Sequence, residues 1–405
     1  MKLILHIGTE KTATTSTQRW FRENRDLLIE QGVYYSRVLG PETHRKLCLW
    51  ALGENRKDEG FLNHDLKTER DRRAFRKQLP QAFAEEVAKA RAAGAHSFVI
   101  SNEHLHSRLT SKDEVQRVHD FLAPHFDTVS VLCVLRPQVD VAVSLASTLT
   151  RDRWPVTKAY FDRVSPKRSF YNYTTLVRRW RGAFGADGVT VLPYRKWPTA
   201  AEYLIGELGI RTDGLVPIPR VNEAVDVQVM ALVNNLDAPV FGGDQRRSKY
   251  SRLFVNKFEC NEKISIGPSL AREIQARFDK SNATLLGMLP DFEPADLKLD
   301  LKKYDMPPNL FKLEQTIFFP QALSQMVRIM NEKLALEELR THVMRAELAL
   351  ARNQPKRARA LLAKCRQELV DLQDAASVSG DLEAEAGTLD KLQQRLEKRQ
   401  MKQAG

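Results

Sequence analysis

Cysteines are scarce in this 405-residue chain, and none lies near another. The four positions are Cys48, Cys133, Cys260 and Cys365, and they form no CxxC pair. A disulfide framework or a zinc site uses paired or more closely spaced cysteines. We therefore expect reduced, buried thiols and no bound metal.

Long apolar runs are missing as well. No stretch approaches the roughly 18 apolar residues that suggest a membrane span. In the first segment, MKLILHIG, one Lys precedes five apolar or near-apolar residues before Gly8, too few for a signal-peptide core. These absences favour a soluble cytoplasmic protein without a membrane span.

The charge is strongly basic but dispersed. A formal net charge of +12 predicts anionic partners. No run of five or six Lys or Arg marks a nucleic-acid tail. We expect phosphorylated small molecules rather than nucleic acid to be the partners.

Five short, β-rich segments are predicted to be strands: 3–7, 32–35, 97–100, 129–135 and 189–192. Helical patterns separate them, including a charged, Ala-rich stretch at 65–93 that Gly94 could end. Strands that alternate with helices predict right-handed βαβ units. The expected fold is α/β, a P-loop-like three-layer arrangement around a central parallel sheet.

The composition changes near residue 290, where several prolines prevent one regular helix. Beyond them, strong helix formers predict three amphipathic helices, interrupted at Pro355 and at Gly380. The predicted domains are an α/β domain, a Pro-containing linker, and a helical bundle for docking or oligomerisation: 1–295, 296–320 and 321–405.

The most informative stretch is HIGTEKTATTSTQRW, which reads as strand, turn and helix. Such a turn directs backbone N–H groups and the positive end of a helix dipole at one point, where an anion is stabilised. Lys11 adds a positive charge, and the following hydroxyl side chains can donate to phosphate oxygens. A nucleoside triphosphatase P-loop would need a second Gly and the order GK[ST], which the stretch lacks. A helix cap without a ligand is the plainer alternative.

This stretch resembles the 5′-phosphosulfate-binding loop of the sulfotransferase superfamily, whose pattern is a strand followed by K-[ST]-G-T-T. The bacterial branch often has H-I-G-x-x-K-T-G-T-T-S-x-Q. The one departure is Ala13, where the family usually has Gly. The resemblance implies these donor-binding residues: Lys11, Thr12, Ala13, Thr14, Thr15 and Ser16.

A second element, VLCVLRPQVDVAVSLAS, is an apolar strand followed by Arg136-Pro137 and a helix. It resembles the family's 3′-phosphate site. Arg136 would hold the phosphate in a bidentate contact, and Ser144 would add its hydroxyl. Asp140 is interpreted as a helix cap. Weaker echoes at 174–197, 220–223 and 278–286 extend the resemblance over about residues 1 to 290.

Sulfuryl transfer requires a general base for the acceptor and positive charge for the leaving phosphate. Lys11 would supply the charge. His104, after the third strand, resembles the catalytic His in the Thr-His-Leu of cytosolic aryl and steroid sulfotransferases, while other members use a Glu, which keeps Glu103 open. His44 is a third candidate from topology, and His106 is interpreted as a solvated neighbour.

The function that the resemblance implies is transfer of a sulfuryl group from 3′-phosphoadenylyl sulfate (PAPS) to a hydroxyl or amine of an acceptor, first of all a glycan. Six aromatic and six basic residues at 151–173 would suit an acidic glycan, or else form core and a solvated rim. An inactive scaffold acting through its C-terminal helices is the alternative, and a P-loop kinase is less favoured. Residues 321–405 would serve a homo-oligomer or a protein partner.

Overall fold

The computed structural model describes residues 1–152, 154–219, 224–235, 262–314, 320–372 and 379–404. Within these residues the chain forms two compact units. The first is an α/β unit that comprises residues 1–150, 156–227 and 260–313. The second contains the C-terminal helices, and the predicted domain boundaries stay a prediction.

The α/β unit contains a five-stranded sheet in the order β2-β3-β1-β4-β5. Its strands are β1 (Lys2–His6), β2 (Val33–Tyr35), β3 (Ser97–Ser101), β4 (Thr128–Leu135) and β5 (Val189–Pro193). Every pairing is parallel. Each of the five strands lies where its sequence segment predicts it, and the α/β fold with a central parallel sheet is confirmed.

Both faces of the sheet are covered, because side chains alternate between faces and the central strands carry buried apolar residues on each face. In β1, Leu3 and Leu5 join one buried cluster. Ile4, between them, joins a second cluster with Trp20 and Phe21 on the opposite face. The sheet is therefore the middle of three layers.

The helices of the first half of the chain are α1 (Thr14–Glu23), α2 (Arg25–Glu30), α3 (Arg45–Ala51), α4 (Glu59–Asn63), α5 (Glu69–Ala92), α6 (His104–Arg108), α7 (Lys112–Leu122), α8 (Gln138–Arg151), α9 (Lys158–Asp162), α10 (Tyr173–Phe184) and α11 (Ala200–Glu207). Later helices are α12 (Val227–Asn235), α13 (Gly267–Leu286) and α14 (Pro294–Leu297), followed by 3₁₀ turns at Leu301–Tyr304 and Leu310–Glu314.

Helix α5 shows how local sequence sets the ends of an element. Thr68 and Asp71 form a reciprocal capping box at its start. At its other end Gly94 has φ 81°, a left-handed conformation that glycine adopts without steric cost. The helix predicted within 65–93 is therefore confirmed, including its termination by Gly94.

The C-terminal unit contains α15 (Pro320–Ala351), α16 (Pro355–Asp371) and α17 (Ser379–Ala404). Their apolar faces share one cluster that includes Leu339, Leu362 and Leu392, all almost fully buried. The predicted C-terminal helical region is confirmed. Gly380 lies inside α17 rather than ahead of it, since that helix begins one residue earlier.

Candidate active site

A cavity of about 910 Å³ lies at the carboxyl end of the sheet in the α/β unit. Its walls come from the loops after four strands and from later segments: 10–16, 103–104, 136–148, 194, 224–225, 262–265 and 303–306. The chain continues from β1 to β2 on one side of the sheet and from β4 to β5 on the other side. The direction of the connections therefore reverses between the adjacent strands β1 and β4. Open parallel sheets bind their ligands at such a switch point.

The loop after β1 makes a close approach to the loop after β3. Gly8 has φ 93°, and a Cβ on it would lie 3.1 Å from the Cβ of Glu103. Two further residues are left-handed although neither is a glycine: Lys11 (φ 66°) and Ala13 (φ 56°). The loop therefore holds the backbone shape of a glycine-rich turn with an alanine at the position before α1, at a cost in conformational energy.

The hydroxyl side chains of this loop divide into two groups. Thr14, Thr15 and Ser16 line the cavity at the start of α1. Thr12 is fully buried, and its hydroxyl donates to the carbonyl oxygen of Thr9 at 2.6 Å. The structure thus brings three of the four predicted hydroxyls to the cavity and uses that of Thr12 to shape the turn.

Lys11 and Arg136 meet at one end of the cavity. Lys11 Nζ donates to Thr148 Oγ1 of α8 at 3.0 Å. Arg136 Nη1 donates to the carbonyl oxygen of Lys11 at 3.0 Å, and its guanidinium lies 4.9 Å from the ring centroid of Tyr194. Ser144 lines the same wall. The two predicted phosphate-binding motifs therefore converge, although 125 residues separate Lys11 from Arg136.

Asp140 contributes more than the helix cap that was expected of it. Its carboxylate accepts a hydrogen bond from the Tyr304 hydroxyl at 2.6 Å and one from Lys303 Nζ at 3.2 Å. Arg136 Nε lies 3.8 Å away. Asp140 thus ties the segment at 303–304 to α8. The sequence gives no local signal for Lys303 or Tyr304, since more than 160 residues separate them from their partner.

Three polar side chains lie beside the loop after β3. Glu103 accepts a hydrogen bond from Gln18 Nε2 at 2.5 Å. His104 begins α6, and its Nδ1 lies 3.8 Å from Oε1 of Glu10. Glu103, His104 and Glu10 all line the cavity. Sequence reasoning included the first two and missed Glu10, whose only local signal is its place next to Lys11.

Burial raises the pKa of Glu10, which is 15% exposed. The Ser107 hydroxyl and the Arg108 guanidinium act in the opposite direction, and the nearby Glu103 carboxylate adds to the increase. A buried carboxyl with a perturbed pKa in a cleft is typical of a functional site.

His44 does not line the cavity. Its Nδ1 accepts a hydrogen bond from the Ser101 amide at 2.8 Å, so its Nε2–H is the donor to the Ser36 carbonyl oxygen at 3.0 Å. Burial lowers its pKa to about 3. With both ring nitrogens bonded to backbone, His44 stabilises the fold at this edge of the sheet and has no nitrogen available to take a proton from a substrate.

The interpretation of His106 as a solvated neighbour is wrong, because only 2% of the residue is exposed. Its Nδ1 accepts from the Glu10 amide at 3.4 Å, and its Nε2 donates to the Phe170 carbonyl oxygen at 2.9 Å. Burial lowers its pKa to about 4. A neutral His106 therefore fastens the loop after β1 to α6.

The aromatic residues of 151–173 do not form a cavity wall. Phe161, Tyr171 and Tyr173 are buried in the core of the α/β unit, and Tyr160 donates to the Ala142 carbonyl oxygen. Trp154 is 64% exposed. Buried packing for most of these rings and exposure of Trp154 agree with the alternative of a core and a solvated rim. Residue 153 and the echo at 220–223 lie outside the described residues.

The thiols that the structure describes, Cys48, Cys133 and Cys365, are buried and unbridged. Over the described ranges, no three His, Cys, Asp or Glu side chains come together as a possible metal site. No helix within those ranges has the length and apolar character needed to span a bilayer.

No family model matches the chain, and no curated protein does either. Among solved structures, the chain is similar to the crystal structure of a sulfotransferase from Alicyclobacillus acidocaldarius, at 17% sequence identity and a TM-score of 0.42. That match covers 73% of this chain and 98% of the other. Because this similarity is weak, the function of the chain has to be inferred from the residues that line its cavity.

Proposed function

We propose that the chain is a sulfotransferase that uses PAPS as donor and a hydroxyl or amine as acceptor. The observation that carries the proposal is the convergence of Lys11 and Arg136 at the starts of α1 and α8. Two helix N-termini, each with its own cation, suit a ligand that carries two separated phosphate groups.

The 5′-phosphosulfate would lie against the loop at 11–16, with Thr14, Thr15 and Ser16 as hydroxyl donors. Arg136 and Ser144 would hold the 3′-phosphate. Because backbone amides and hydroxyls are preorganised around the loop, they would stabilise charge that develops on the leaving phosphate without rearranging. Lys11 would add a positive charge at the same position.

His104 is the proposed base, since it lines the cavity and histidine is the side chain most often used for general acid–base catalysis. The acceptor oxygen or nitrogen would form a bond to sulfur while the bond from sulfur to the donor's 5′-phosphate oxygen breaks. The acceptor's proton would pass to His104, and adenosine 3′,5′-bisphosphate would leave. Glu103, held by Gln18, is better placed as a neighbour that shapes the site.

Calorimetric titration with adenosine 3′,5′-bisphosphate tests the donor site. We expect Arg136→Ala to weaken binding roughly 10- to 100-fold, since a hydrogen bond to a charged group contributes about 1.5–3 kcal/mol. Arg178→Ala removes an exposed arginine outside the cavity and is the matched control. Failure of the wild-type protein to bind the bisphosphate would refute the proposal.

Transfer is measured with ³⁵S-labelled PAPS and a panel of polysaccharides, lipids and phenols, in which a glycan is the first class to test. We expect label to move to at least one class, and His104→Ala to abolish the transfer. Tight bisphosphate binding without transfer to any acceptor would favour an inactive binding protein instead.

A further inference from the structure

Glu10 and His104 lie side by side in the cavity, although they come from different loops. Oε1 of Glu10 is 3.8 Å from Nδ1 of His104, and their side chains are 15% and 26% exposed. This distance is longer than a hydrogen bond, but catalytic contacts are often long before substrate binds. The pair has the arrangement of a carboxylate beside the imidazole of a general base.

Both members of the pair are held by their backbones. The His106 ring accepts from the Glu10 amide and donates to the Phe170 carbonyl oxygen. The amide of His104 donates to Asn102 Oδ1 at 3.0 Å. Since α6 carries both His104 and His106, the helix that presents the imidazole also holds the backbone amide of Glu10.

We propose that Glu10 is a positioning residue that holds His104 as its Nδ1–H tautomer, so that Nε2 accepts the proton of the acceptor. The inference deepens the sulfotransferase proposal and rests on it. A carboxylate at Nδ1 fixes the ring orientation and stabilises the imidazolium that forms when Nε2 takes a proton.

The groups around Glu10 act on its carboxyl in both directions. Burial and the Glu103 carboxylate raise its pKa, whereas the Ser107 hydroxyl and the positive charges of Arg108 and Lys11 favour the carboxylate form. His104 and the Tyr171 hydroxyl also lie in its electrostatic surroundings.

Arg108 also faces Asp58 at 3.1 Å and Glu59 at 3.3 Å, so its charge is shared among several carboxylates. Glu103 differs from Glu10, because its carboxylate accepts a hydrogen bond from Gln18 rather than lying next to an imidazole nitrogen.

The proposal is tested by ¹⁵N NMR of the imidazole nitrogens in the full-length protein, with His104 assigned by comparison with His104→Asn. In the wild type we expect neutral His104 to be mainly the Nδ1–H tautomer. Glu10→Gln, which keeps the shape and removes the charge, should lower the titration midpoint of His104 by about one pH unit. Glu10→Ala, which also removes the acceptor, should give a mixture of tautomers.

Glu103→Gln is the matched control, since it removes a second nearby carboxylate that does not contact the imidazole. We expect it to change the His104 midpoint by clearly less than Glu10→Gln does. Equal shifts in both variants, or an unchanged midpoint and tautomer in the Glu10 variants, would overturn the proposal.

Calorimetry with adenosine 3′,5′-bisphosphate separates this proposal from the sulfotransferase assignment. The Glu10→Gln variant should bind the bisphosphate with an affinity within a few-fold of the wild type, which also shows that it folds. A wild type that binds no bisphosphate would refute the assignment, while the NMR result would still decide how Glu10 and His104 are coupled.

Discussion

Protonation of His44 should destabilise the α/β unit, and the structure gives the size of the effect. Its ring is fully buried, and the Nδ1 that would have to take up the proton already accepts from the Ser101 amide. A protonated ring would lose that hydrogen bond and carry a buried charge. His44 therefore contributes stability only while it stays neutral.

The sign and size follow from the two pKa values. In the folded chain the pKa of His44 is about 3, whereas an unperturbed histidine titrates near about 6.5. The unfolded chain therefore binds the proton more readily, and stability is lost as pH falls from about 6.5 towards 3. At about pH 5 the loss from His44 amounts to about 2 kcal/mol.

His44→Asn isolates this contribution, because the Asn side-chain oxygen can accept from the Ser101 amide but cannot titrate. Urea unfolding is followed by tryptophan fluorescence, to which the segment 320–404 contributes nothing because it contains no tryptophan. The buried His6 and His106, each with a pKa of about 4, titrate in wild type and variant alike.

Between about pH 7.5 and pH 5 the variant should lose about 2 kcal/mol less of unfolding free energy than the wild type. If His44→Asn and the wild type lose the same free energy, the assignment of His44 as a buried, neutral ring is wrong.

Two further substitutions test the loop and the helical unit. Ala13→Gly should raise the unfolding free energy by about 0.5–1 kcal/mol, because relief of the left-handed alanine (about 1–2 kcal/mol) exceeds the extra backbone entropy of glycine. Urea unfolding measures the change, and a destabilised variant would contradict the left-handed geometry. Leu339→Ala should destabilise the helical unit by about 2–5 kcal/mol, measured by native-state hydrogen exchange, since Leu339 is fully buried; a change below about 1 kcal/mol would show that the site is not core.

The strands and the long helices could be predicted from the sequence because their signals are local. The segment at 129–135 is almost wholly apolar and β-rich, and it forms the core of β4. Helix α5 carries both of its ends in its own sequence, as a capping box and a glycine. Short-range patterns of this kind need no knowledge of the tertiary fold.

The candidate site was only half predictable for the same reason. Lys11 and Arg136 belong to motifs with recognisable neighbours, so each could be found alone. The role proposed for Glu10 rests on its proximity to His104, which lies 94 residues away in the sequence, and no neighbouring residue of Glu10 indicates that role. The burial of His106 likewise depends on Phe170. Roles that depend on such long-range contacts produce no local pattern in the sequence from which they could be predicted.

Charged side chains of both signs line the cavity, and several of them are paired with a neighbour of opposite charge. Among the described residues that line it, cations and carboxylates are equal in number: Lys11, Arg136, Lys263 and Lys303 against Glu10, Glu103, Asp140 and Glu262. The balance is local, however. Glu262 accepts from Lys312 and Asn309, and Asp140 accepts from Lys303 and Tyr304. Two of the four carboxylates thus have cationic partners of their own.

Neighbouring residues of the first loop then reach opposite sides of β1. Lys11 contacts α8, which follows β4, while Glu10 lies beside α6, which follows β3. One turn therefore separates a cation that can stabilise a leaving phosphate from a carboxylate that can orient a base. The parallel sheet permits this separation because β3 and β4 lie on either side of β1, and in the proposed reaction Lys11 and Glu10 would act at different parts of the reacting group.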